Sequence, residues 1–486
     1  MQFNSFIFIF LLLPVTVLLY FLCNKIHRTA GKIILLISSL IFYSYSDISA
    51  LIFICFSLLS NYIFVRLILR KRESSLRLAR VFLIIPLVIN IGLLIYFKYT
   101  GFILSCFNVV LEEGNSLASL ILPLGISFIT FQQIAYVVSV YNHELENADL
   151  IDYLTYILYF PKILMGPLTE PADFISQLNN SSLKKFSWDN FAYGLKMFSF
   201  GLFKKLMIAD VFSWAVGWCI EDPFALSSLD WLLVMLFYTF RIYFDFSGYS
   251  DMAVGSSLML NITLPINFDS PYKALSIRDF WKRWHISLTK FFTKYLYIPL
   301  GGSRKGKLLT GLNTMIVFTI SGLWHGANWS FILWGVLHGL FMVFDRIFEK
   351  QEEKIPKPIR WFFTFIVINV LWLLFWSESV SKWIFVLIKI ISLQGMTVSP
   401  EIMHMFELPE TNILSDILRL NTITGNLPWF WMLVYTIIAF ILCLVPQNNY
   451  RSMKKISFSL MLLVSIAFVC GVIHLSSESV FVYFNF

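Results

Sequence analysis

His325 stands between Trp324 and Gly326, at the end of the apolar run Leu309–Leu323 and just before a second run, Trp329–Phe344. Imidazole is the side chain whose ordinary proton affinity lies nearest neutral pH. An ionisable group in so apolar a setting marks a functional site by default. Burial disfavours imidazolium, so a buried His325 stays neutral and able to accept a proton. On spacing alone, a histidine that caps the helix or bonds a neighbouring carbonyl reads equally well. Asn328, Trp324, a nearby backbone N–H or His285 could each donate to a developing oxyanion, and the sequence does not choose among them. His338, further along the second run, reads as a packing or hydrogen-bonding residue.

A second histidine lies in the segment Arg278–Lys294. Lys282, Lys290 and Lys294 recur at helical spacing on one side, and Phe280, Trp284, Leu288 and Phe291 on another. This predicts an amphipathic helix with aromatic anchors in the cytoplasmic interface, carrying His285. Next, Pro299, Gly301 and Gly302 break the helix, and Arg304 and Lys305 follow them. Those two cations suit an anionic group, either a ligand phosphate or a lipid headgroup. Arg241 and Asp245 are four residues apart in an otherwise apolar run and are placed to pair along one helix face. Such a pair either braces a bundle or takes part in chemistry, and Gly248 suggests a local break beside it. Pro161 and Gly166 in Phe160–Leu168 suggest a cavity wall or a kinked packing helix.

The elements that must hold these residues are membrane spans. The chain has 486 residues, 58% hydrophobic and 14% charged, against roughly 25% charged in soluble domains. A mean hydropathy of +0.74 cannot be hidden in an aqueous core. Near-spanning runs begin at Phe3, Ile33, Ala50, Val81, Leu120, Phe191, Trp231, Leu309, Trp329, Trp361, Trp429 and Phe458. The reading is an all-α integral membrane protein with roughly 11–13 spanning helices plus re-entrant or interfacial ones, Tyr153–Met165 among them. The basic clusters alternate with the runs, so the net charge of +8 reflects membrane topology, not nucleic-acid binding. Placing those clusters in the cytoplasm puts Gln394–Pro428, with its acidic excess, on the outer face. The first run lacks a basic leader and a small-residue cleavage site, and reads as a retained span. The six cysteines show no CxxC spacing, so no metal site or disulfide framework is indicated. One polytopic domain over 1–486 is expected, with a motif-bearing core at about 120–345.

Several ordered segments resemble the membrane-bound O-acyltransferase family, in the bacterial branch that contains the membrane subunit of alginate O-acetylation. They are LPLGISFITFQQIAYVVSVY (Leu122–Tyr141), FPKILMGPL (Phe160–Leu168) and YTFRIYFDFSGYSDMAVG (Tyr238–Gly255). They continue with NFDSPYKALSIRDFWKRWHISLTKFFTKYLYIPLGGSRKG (Asn267–Gly306) and SGLWHGANWSFILWGVLHG (Ser321–Gly339). The closing FVYFNF (Phe481–Phe486) is also similar. The resemblance implies a ring of helices around a funnel or tunnel in the bacterial inner membrane. It makes His325 the catalytic histidine and His285 its supporting partner, with Asp245, Arg241, Pro161 and Gly166 as motif or tunnel residues.

The reaction implied is acyl transfer from a thioester to a hydroxyl, with no bound cofactor. The expected donor is acetyl-CoA or an acyl carrier protein on the cytoplasmic side, its phosphates near Arg304 and Lys305. The expected acceptor side holds an extracytoplasmic acetyltransferase partner and an exported, alginate-like polysaccharide. D-alanyl transfer to teichoic acid, acetylation of peptidoglycan or lipopolysaccharide, and a precursor transporter or flippase are the alternatives.

Overall fold

The computed structural model describes residues 1–45, 48–107, 122–221, 226–476 and 481. The start of the Leu120 run and residues 482–486 of the closing motif lie outside them. Among the described residues all regular structure is helical. That follows from the solvent, because a lipid-exposed backbone must satisfy its own N–H and C=O groups, which a helix does. Among the described residues, six helices are long and apolar enough to cross a membrane: Phe8–Ile26, Leu51–Lys71, Leu76–Cys106, Lys307–His325, Trp329–Glu352 and Lys357–Trp376. Thr29–Ser44, Ile126–Tyr141, Phe430–Leu444 and Phe458–Ile473 are apolar but shorter. The runs read as spans therefore divide into full-length helices and a set of shorter or charge-bearing ones. Helix Ser228–Met259 is long enough, but Asp230, Arg241, Asp245 and Asp251 interrupt its apolar surface. On helix Ile48–Lys71 the residues Ile52, Phe56, Leu59 and Ile63 form an exposed stripe at helical spacing. Such a stripe suits contact with acyl chains.

The chain forms two compact units. The first comprises Met1–Ser199 with Tyr249–Ile266, and the second Phe200–Gly248 with Asn267–Phe486. Helix Ser228–Met259 supplies residues to both. In the first unit, Lys32 pairs with Asp152, and Asn179 bonds both of them, so the buried ammonium is neutralised locally. Helix Leu150–Leu158 ends at Tyr159, and the chain then coils irregularly through Phe160–Gly166. Gly166 makes this coil possible: a Cβ there would stand 2.3 Å from the Lys162 Cα and 2.4 Å from the Pro161 carbonyl oxygen.

In the second unit, helices Lys307–His325 and Trp329–Glu352 form a hairpin. Their backbones touch at glycines. A Cβ on Gly322 would lie 2.2 Å from the Phe331 carbonyl, and one on Gly335 would lie 2.3 Å from that of Phe318. Any larger residue at either position would push the two helices apart.

The single amphipathic helix expected over Arg278–Lys294 is broken. The structure has Ile277–Trp281, then Ile286–Phe292, then a π-helical turn Thr293–Tyr297. The break falls at His285, whose φ of 45° is left-handed and cannot continue a right-handed helix. A neighbouring strip of chain holds it there: Asp269 N–H donates to the Arg283 carbonyl and Ile286 N–H to that of Asn267, both at 2.9 Å.

Candidate active site

His325 is the last residue of its helix, and the link Gly326–Asn328 turns the chain into the next one. The local sequence dictates this turn. A Cβ on Gly326 would lie 2.2 Å from the Phe331 ring, so only glycine lets that ring close over the link. Asn328 caps the following helix, its Oδ1 accepting the Ser330 N–H at 3.1 Å. His325 is 4% exposed and sits among rings: Trp324 at 4.9 Å, Trp334 at 5.3 Å and Phe375 at 5.3 Å between centroids. The turn is therefore an enclosed corner and not a surface loop.

His285 lies in the same unit and shares a neighbour with His325. The Trp324 ring stands 6.5 Å from His285, and Phe246 packs edge-on against His285 at 4.8 Å. The Asn267 Oδ1 accepts from Ser287 N–H at 3.4 Å and from Ser287 Oγ at 2.9 Å, which identifies it as an acceptor. The His285 Nδ1, 3.0 Å from that oxygen, must then donate. Its lone pair is left on Nε2. Burial pushes the His285 imidazole down to about 3, so the ring is neutral. Neutral His285 with its proton on Nδ1 offers an acceptor at Nε2 and cannot serve there as an oxyanion donor.

Other expected residues are placed differently. The Asn328 amide nitrogen donates one N–H to the Glu378 carbonyl at 2.5 Å. Asp245 does not pair with Arg241. It accepts from Lys205 Nζ at 2.7 Å, and Lys205 also donates to Asp210 at 2.8 Å, all three being buried. Arg241 instead lies near the Tyr238 ring, 6.0 Å from its centroid. Gly248 is no break, since helix Ser228–Met259 runs through it. Its missing side chain allows close approach, a Cβ there falling 2.8 Å from the Gly201 carbonyl. Pro161 and Gly166 belong to the first unit and are described there.

Arg304 and Lys305 are exposed in the turn before helix Lys307–His325. That helix has 19 residues, so its start lies about 28 Å from its end. Other cations line a cavity beside this helix. A cavity of about 280 Å³ runs beside the helix from Thr314 to Ser321, lined also by Trp281, Phe292, Tyr297 and Phe318, and bearing Arg278, Lys282 and Arg346. Ser321 is one helical turn before His325. Lys282 and Arg346 are exposed, and Arg278 pairs with Glu349 at 3.0 Å. The sequence analysis did not single out Asn267, Trp334, Phe375 or Arg346, whose closeness to these residues depends on how the helices pack. The available signal was that Asn267, Arg278, Lys282 and Trp334 all lie inside the segments that carry the resemblance.

No group of three or more metal-ligating side chains occurs among the described residues. The model of the membrane-bound O-acyltransferase family matches residues 49–387. The chain is 36% identical to the peptidoglycan O-acetyltransferase of Helicobacter pylori, an alignment covering 100% of this chain and 97% of the relative. It is 35% identical to the probable alginate O-acetylase AlgI of Pseudomonas putida over 78% of each chain. A teichoic acid D-alanyltransferase of Streptococcus thermophilus is 28% identical over 50% of this chain and 61% of that relative. With all five motif segments falling in order inside the matched range or its flanks, this multi-pass chain belongs to the membrane-bound O-acyltransferase family and is an acyltransferase.

Proposed function

We propose that the chain moves an acetyl group from a cytoplasmic thioester to a hydroxyl, with cell-wall peptidoglycan as the polymer that receives it. The observation that supports the transfer chemistry is that two buried imidazoles, His325 and His285, both neighbour the Trp324 ring, with His325 one helical turn beyond the Ser321 wall of a cavity bearing three cations. The peptidoglycan reading is supported by the end-to-end similarity to a peptidoglycan O-acetyltransferase, whereas similarity to the alginate proteins covers 78% of the chain. In this reading the polymer is reached directly or through an extracytoplasmic acetyltransferase partner.

A hydroxyl is a poor nucleophile while it keeps its proton. His325 takes that proton as the oxygen attacks the thioester carbonyl carbon. His285, held by Asn267 with its proton on Nδ1, accepts a hydrogen bond at Nε2 and orients the hydroxyl. The Trp324 indole N–H serves the tetrahedral oxyanion. Collapse breaks the C–S bond, leaves the ester, and returns the proton from His325 to the thiolate. The rings around His325 exclude the water that would hydrolyse the thioester. The donor's phosphates meet Arg278, Lys282 and Arg346 at the cavity.

The test is the ester-linked acetate that mild base releases from isolated peptidoglycan. Loss of the gene removes it and the wild-type gene restores it, but the His325→Ala gene does not. Unchanged acetate in the deletion strain rejects peptidoglycan as the acceptor, and labelled acetate is then sought in the exported polysaccharides.

A further inference from the structure

Trp281 ends the short helix Ile277–Trp281 and lines the cavity with Phe318 and Ser321. Its indole N–H donates to the His338 Nδ1 at 3.1 Å. That bond fixes the neutral ring of His338 with its proton on Nε2. His338 is wholly buried, and its Nε2 has no hydrogen-bond partner among the described residues. The Trp334 ring packs on His338 at 4.6 Å, on Trp281 at 5.7 Å and on His325 at 5.3 Å. One chain of contacts thus joins the cavity wall to the reacting corner.

Packing alone does not require this hydrogen bond. Trp334, in the same cluster, leaves its own indole N–H without an acceptor among the described residues. An apolar side chain at 338 would fill the space but leave the Trp281 N–H without this acceptor, free to turn. Of the two tryptophans, the one facing the cavity is the one whose rotation is locked. The helix carrying His338 is itself fixed, since Gly335 and Gly339 flank the histidine and hold the backbone against the Phe318 helix.

We infer that His338 is a positioning residue: by fixing Trp281 it shapes the cavity wall beside His325 and confines the donor to short acyl groups. The inference rests on the acyl-transfer reading above. A released indole turns away from its wall and leaves room for a longer chain. Each added methylene in an apolar pocket changes discrimination by roughly tenfold or more.

Membrane vesicles containing the full-length chain and supplied with peptidoglycan fragments as the hydroxyl acceptor are given acetyl-CoA or hexanoyl-CoA, and thiol release is measured for each. The wild-type chain favours acetyl-CoA. His338→Leu raises the ratio of hexanoyl to acetyl kcat/KM by roughly tenfold. His338→Gln, whose carbonyl still accepts the indole N–H, returns the ratio toward wild type. Trp281→Phe reproduces the His338→Leu ratio, and decides the matter should His338→Leu fail to accumulate. An unchanged ratio, or a parallel fall with both thioesters, overturns the inference while the acyl-transfer reading stands. A wild-type chain that releases thiol from neither thioester overturns both.

Discussion

Lys205 and His325 are both polar side chains sealed inside the second unit, but their surroundings differ in kind. The Lys205 ammonium lies between the Asp210 and Asp245 carboxylates at 2.8 and 2.7 Å, with the Phe481 ring at 4.5 Å. His325 lies among Trp324, Trp334 and Phe375. A full charge removed from water must be neutralised on the spot, and the triad does so with ions. A neutral imidazole needs no counter-charge and is stable among rings. The ionic triad is thus suited to holding helices together, and the imidazole corner to exchanging a proton. Burial alone does not tell the two residues apart. What the neighbours have done with the charge is the better guide.

The largest effect expected is on the triad. Lys205→Met leaves two buried carboxylates facing each other and costs about 3–5 kcal/mol of stability. Thermal unfolding in detergent then shows a lower midpoint, and activity falls only as folded protein is lost. A Lys205→Met chain of normal stability with no activity would break the contrast and give the triad a chemical role.

Asn267→Ala removes the acceptor of the His285 Nδ1–H and strands a buried donor. That costs about 1–3 kcal/mol. Because the ring is no longer held in one tautomer, the loss falls on kcat by roughly 10–100-fold, and KM for the donor changes little. A change in KM alone would remove Asn267 from the site.

The third effect is on pH. The folded chain holds His285 at about 3, against an ordinary value of 6.5. Between those values the unfolded chain binds one more proton, so the contribution to stability rises with pH there. It is fully present above about pH 6.5 and is lost on acidification, at about 1.4 kcal/mol per pH unit. The unfolding midpoint therefore drops between pH 7 and pH 5, and His285→Gln flattens that slope by one proton. Equal slopes in the two chains would contradict the assigned burial.

The smallest effect concerns the cavity cations. Lys282→Gln with Arg346→Gln raises KM for acetyl-CoA a few-fold, because both groups are exposed and screened. Arg304→Gln with Lys305→Gln leaves KM unchanged. The reverse result would return the donor's phosphates to the glycine turn.

Much of this was legible in the sequence, for identifiable reasons. Apolar runs of bilayer length gave the helical membrane fold, and the isolated polarity of His325 marked its turn. The Gly326 and Asn328 pattern that builds the turn is local, and local signals are readable. The break at His285 was not. Seven residues that alternate correctly for an amphipathic helix conceal a left-handed residue held by Asn267, which is 18 positions away. Likewise the helical spacing of Arg241 and Asp245 predicted a pair, but Lys205, 40 residues earlier, supplied a closer partner. Tertiary contacts overrode local spacing at both places.

The central claim is that His325 carries the proton in thioester acyl transfer. The most direct test compares thiol release from acetyl-CoA, labelled in its acetyl group, by vesicles containing wild-type or His325→Ala chains of matched thermal stability. His325→Ala is expected to lose at least about 100-fold in rate, with the labelled ester disappearing in step. Thiol release at the wild-type rate by a folded His325→Ala chain would contradict it.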